Sequence, residues 1–146
     1  MKKIILSIIF FCICFSGKSQ YNNDVKIETI LKTDTTSIGQ KIVYPTFQNN
    51  EVSVLKITIP SGKSTGWHIH NFPVFAYILK GELTIELENN KTILFAENSS
   101  FSEVINTLHN GKNNGNEDVI LIAFFMGEKG KPLSIHKDTT QIIQKK

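Results

Sequence analysis

His68 and His70 close the segment Gly62-Lys63-Ser64-Thr65-Gly66-Trp67-His68-Ile69-His70, and their type and spacing suit them to hold a metal ion. On an extended strand residues i and i+2 project from one face, so both imidazoles aim into one volume. Neutral imidazoles are common ligands for first-row divalent ions. Such a pair also occurs as plain surface polarity, and a third ligand on a neighbouring strand would tell the two apart. His109 lies 39 residues after His70, beyond one complete hairpin and the start of another, a distance that suits an adjacent strand. Glu103, six residues before His109, is the carboxylate placed to join them and the candidate catalytic residue. It could be a fourth ligand, a general base at the pocket mouth, or a partner that holds a histidine tautomer. The turn at 104–107 scrambles strand parity, so all three roles stay open. His136 falls in a lysine-rich tail and reads as an exposed histidine rather than a ligand.

The elements that must position these groups are strands. In 82–87 the odd positions are apolar and the even ones polar, the pattern of a half-buried antiparallel strand. Asn89-Asn90 follows, and both asparagines can take the positive φ of a tight turn before residues 92–95 return. Residues 52–59 read as a strand ended by Pro60-Ser61-Gly62. The continuous apolar run 119–125 predicts a strand buried on both faces. No ten-residue helical period occurs after the N-terminus, and many short strands at regular spacing predict an all-β barrel or sandwich. The expected division is 20–50 as N-terminal arm and first strand, 51–127 as barrel, and 128–146 as C-terminal tail.

Lys2 and Lys3 precede an apolar run over 4–15 that is too short to span a bilayer, and 1–19 reads as a secretory signal peptide. Gly17 and Ser19 place cleavage between Ser19 and Gln20. Neither Cys12 nor Cys14 follows a small residue, which disfavours lipid anchoring. Cleavage would leave thirteen lysines against thirteen acids, a net charge of zero, with no cysteine and no arginine. That composition excludes a disulfide framework and a thiol nucleophile, and it argues against nucleic acid or an anionic membrane as partner. The expected location is periplasmic or secreted, without a stable membrane anchor.

The spacing of these residues resembles the cupin family. In the first cupin motif, Gly62, His68, His70 and Gly81 fall on the family positions, while Val74 stands where the family has Glu. In the second motif His109 and Asn113 match, and Asn98, Val104 and Asn106 replace Gly, Pro and Gly. Asparagine is the non-glycine residue that best tolerates a left-handed backbone. The resemblance spans about 52–125. It implies a single jelly-roll β-barrel of six to eight strands, with one divalent transition metal ion (Fe, Zn, Mn or Ni) held by His68, His70 and His109. With Val74 unable to ligate, it implies three neutral ligands and an open, more positive site. Taking Val74 as inward places Ala76 and Ile78 inward too, as an apolar wall beneath the metal. Trp67 and Phe72 are expected to close the mouth. Phe75, Tyr77 and Leu79 then form an outward apolar stripe, to be covered by an N-terminal arm or, as expected here, by a second subunit in a homodimer.

Two functions fit this reading. One is a metal-dependent oxygenase acting on a small organic molecule, since the resemblance extends to cupin dioxygenases that lack the motif Glu. The other is a non-catalytic module that captures a small organic molecule, an anion or a metal chelate.

Overall fold

The computed structural model describes residues 24–137; the expected signal peptide lies outside the described residues. Nine strands follow in order among them: β1 (Asn50–Ile59), β2 (His68–Ile69), β3 (Val74–Lys80), β4 (Leu83–Leu87), β5 (Thr92–Phe95), β6 (Ser100–Ser102), β7 (His109–Lys112), β8 (Val119–Glu128) and β9 (Ile135–His136). They form two antiparallel sheets, ordered β1-β8-β3-β6 and β5-β4-β7-β2-β9, and no described helix is long and apolar enough to cross a membrane. The two sheets enclose one core as a jelly roll. Nine strands exceed the expected six to eight because two of them are only two residues long.

Alternation in the sequence becomes alternation of burial. Leu83, Ile85 and Leu87 of β4 face the core, as do Val74, Ala76 and Ile78 of β3 and Val119, Leu121, Ala123 and Phe125 of β8. The apolar run in β8 is therefore not buried on both faces. Its intervening residues Ile120, Ile122 and Phe124 lie on the outer face, with Phe124 41% exposed. In that face Phe124 sits between Val54 of β1 and Phe75 of β3. At one pair of sheet edges the rings of Phe95 and Phe101 stack 3.8 Å apart and join β5 to β6.

The connections bear out the expectation for asparagine. Asn98 and Asn106, which replace motif glycines, have φ of 64° and 50°. In the β4–β5 hairpin only Asn90 is left-handed, at φ 61°, whereas both asparagines of that turn were expected to be. Asn113 is fully buried and braces a loop: its amide donates to the carbonyls of Ile59 and Glu117, and its oxygen accepts from Gly115 N–H.

The flanking segments do more than trail from the barrel. Before Asn50 the described residues form an isolated bridge, Thr35 with Lys41, rather than a strand. This arm docks on the edge strand β6, where Ser37 N–H donates to Ser102 O, and the Gln40 side chain exchanges two hydrogen bonds with the backbone of Ile105. At the other end the tail pairs with β2 through β9, His68 opposite His136 and Ile69 opposite Ile135.

Candidate metal centre

Cross-strand register brings the histidines together. His68 on β2 lies directly opposite His109 on β7, and His70 follows β2 by one residue. The ring centroids are 4.3 Å apart for His68 and His109, 4.8 Å for His68 and His70, and 5.2 Å for His70 and His109. Glu103 joins them. Its Oε2 lies 3.0 Å from His109 Nε2 and 3.3 Å from His70 Nε2, and ligand atoms of all four residues lie within 4.8 Å of one another. The three histidines are buried, and Glu103 is 11% exposed.

The carboxylate enters from the place where the motif lacks one. Glu103 follows β6, and its N–H donates to the carbonyl of Val74 at 2.8 Å. Val74, standing at the motif Glu position, is itself a fully buried core residue. Glu103 thus reaches the cluster from the strand hydrogen-bonded to the Val74 position.

Each histidine is fixed by its other ring nitrogen. Nδ1 of His68 donates to Gly66 O at 2.7 Å, that of His109 to Thr107 O at 2.9 Å, and that of His70 to Leu133 O at 2.8 Å. A carbonyl can only accept, so every Nδ1 carries the hydrogen and every neutral ring turns an Nε2 lone pair toward the others. Burial opposes ionisation of Glu103, and only a proton on His109 Nε2 or His70 Nε2, donated to its carboxylate, outweighs that cost and holds the carboxyl down to about 2. A carboxylate oxygen cannot rest 3.0 and 3.3 Å from two bare Nε2 lone pairs, so the arrangement needs a cation between them. A proton or a metal ion can supply it. Burial also lowers His68 to about 4, with the neighbouring His109 and His70 adding to the effect against the bond to Gly66. A cluster that disfavours a protonated His68 and gathers three imidazole nitrogens around a carboxylate suits a divalent ion.

A cavity of about 330 Å³ opens from this cluster. Its walls come from Leu55, Ile57 and Ile59 of β1, Leu83 and Ile85 of β4, and Leu121 and Phe125 of β8, with Leu133, Ser134 and His136 of the tail at its rim. Val74, Ala76 and Ile78 point inward as expected but fill the core instead of lining this cavity. Trp67 and Phe72 do not border it either: Phe72 is buried beside His70 and Gly127, and Trp67 faces a different depression. His136 is exposed and outside the four-residue cluster, but its ring centroid stands 5.5 Å from that of His68. The tail's part in the site was missed because Pro132 and the surrounding Lys, Gly and Ser give no strand pattern. Two residues of pairing suffice to place it.

Comparison with known proteins agrees with this architecture. Residues 55–125 match the family model described as Cupin domain. A cupin domain from Bordetella pertussis is similar at 18% identity and a TM-score of 0.48, covering 66% of this chain and 98% of that one. A Bacillus halodurans protein is similar at 17% identity and a TM-score of 0.49, with 64% and 75% covered. DMSP lyase DddQ from Ruegeria pomeroyi is similar at 13% identity and a TM-score of 0.51, over 59% of this chain but only 43% of the lyase. Of these three the lyase alone exceeds a TM-score of 0.5, and at 13% identity that likeness is one of fold. No curated protein matches the chain.

Proposed function

We propose, from the cupin domain that residues 55–125 match, that the chain binds one divalent transition metal ion through His68, His70, His109 and Glu103 and acts there on a small organic molecule. The observation behind this reading is the Glu103 carboxylate oxygen 3.0 and 3.3 Å from the Nε2 atoms of two rings that already donate through Nδ1. Glu103 is read as the fourth ligand rather than as a free base, because both of its close contacts are to histidine atoms that would themselves ligate. A bound ion would supply open coordination positions and Lewis-acid polarisation. The chain's own residues would orient the ligands through the three carbonyls, keep water from the buried face, and shape the cavity. The cavity favours a reactive centre over a closed structural one. Oxygenase chemistry is one reaction class such a centre supports, and oxygen uptake by the iron-loaded protein with small diketones, phenols and flavonoids is its test.

Export to the periplasm or the medium, by cleavage after Ser19, completes the proposal, together with homodimer formation through the outer face. Val54 is 56% and Phe124 41% exposed there, and the arm's hydrogen bond from Ser37 goes to β6 at the far edge of that sheet.

Exchange of the carboxylate between strands tests the ligand assignment. Glu103→Gln should lower metal affinity about ten- to a hundredfold. Adding Val74→Glu to that variant should recover part of the loss by returning a carboxylate from the motif position. Normal metal affinity in Glu103→Gln with turnover alone reduced would make Glu103 a base instead.

A further inference from the structure

The wall of the cavity away from the four clustered residues is hydrocarbon. Leu55, Ile57 and Ile59 line one side and Leu83 and Ile85 the other. No lysine borders the cavity, and the chain has no arginine. Thr65 adds no free polar group, because its hydroxyl accepts from Gly111 N–H at 2.9 Å and donates to Gly66 O at 3.3 Å. Ser134 and His136 lie at the rim, where Oγ and Nε2 are 3.2 Å apart.

Charge sets the other requirement. Three neutral imidazoles and one carboxylate carry a single negative charge, so a divalent ion leaves the site with one positive charge. One anionic group on a ligand neutralises it. A second anionic group would be buried against Leu and Ile side chains with no lysine or arginine in the lining to pair it, which is costly.

We propose that the cavity selects a small molecule with one anionic head and an uncharged apolar body, and discriminates against dianions. This rests on the metal-site reading above. Straight-chain monocarboxylates are the simplest probes, and butanoate against succinate isolates the second charge at similar length.

The experiment is titration calorimetry on the full mature chain loaded with Zn²⁺, with zinc content measured in the same samples. Affinity should rise about fourfold for each methylene from acetate to butanoate, the value of a buried CH₂. Butanoate should bind at least about tenfold more tightly than succinate. Leu55→Lys should invert that preference by placing a cation in the wall. Leu55 is 38% exposed, so the lysine stem can lie along the rim without disturbing the core. A zinc-loaded protein with no dependence on chain length, or with succinate bound as tightly as butanoate, overturns this inference and leaves the metal site standing. A protein that takes up no zinc overturns both.

Discussion

Glu103 and His68 show how burial and contact set the protonation of single residues in this site. In the metal-free protein both shifts act in the same direction with pH. The unfolded chain protonates His68 near 6.5 while the folded chain resists until about 4, so stability falls as pH drops through that window. Glu103 adds stability above its unfolded value of about 4.5, which is lost as pH falls toward 2. Melting curves of chelator-treated protein at pH 7, 5.5 and 4.5 should show a progressive decrease, and His68→Ala should remove the part between 6.5 and 4.5. A melting temperature constant across this range would contradict the burial argument. Asn113 makes a separate point, since it matches a motif position but touches no ligand. Asn113→Ala would leave the carbonyls of Ile59 and Glu117 and the N–H of Gly115 unpaired, costing at least about 1–3 kcal/mol in a denaturant titration. Metal affinity of the folded variant should remain within about threefold of the parent; a larger loss would mean Asn113 supports the site and not only the loop. His68 and His70 were legible in the sequence because the i, i+2 rule gives their common face, and His109 through the spacing it shares with the second cupin motif. The orientation of Glu103 was not, because the turn after β6 breaks parity and only the hydrogen bond to Val74 fixes its direction.

At the scale of elements, the sequence pattern located the strands well wherever apolar and polar residues alternate. Strands β4 and β5 fall where alternation and the Asn89-Asn90 turn put them, although in β4 Thr84 is buried along with the apolar residues and only Glu86 is partly exposed. The apolar run of β8 misled because hydrophobic residues on its outer face look, in sequence, like residues buried on both sides. The tail was harder still, since β9 exists only through its pairing with β2. Its consequence is specific: His68 and His109 take their carbonyl partners from two residues upstream, but His70 takes its own from Leu133, 63 residues away. Truncation after Pro132 should therefore lower metal affinity by about tenfold or more, the range known for loss of an outer partner. Truncation after Lys137, which keeps β9, should leave it unchanged. Equal affinity in both truncated proteins would show that the tail does not position His70.

Across the whole molecule, the metal-site residues lie on or beside β2, β6 and β7, which belong to different sheets. An ion bound by them would bind the native state alone, so chelation should lower the melting temperature by mass action. The outer face makes an independent prediction. Val54→Lys and Phe124→Lys place charge in the exposed apolar row of β1 and β8, and should convert a dimer to a monomer in sedimentation without loss of metal. A monomeric parent protein would refute that interface. The fold class was legible in the alternation and motif spacing, whereas the covering of each face depends on where the arm and tail dock, which no local pattern records. The central claim is the metal site itself, and its most direct measurement is metal content per chain for the protein expressed from Gln20 and its histidine variants at limiting metal. The expected result is about one first-row divalent ion per chain, at least about tenfold weaker binding in each of His68→Ala, His70→Ala and His109→Ala, and no change in His136→Ala. Full occupancy in His109→Ala would contradict the site.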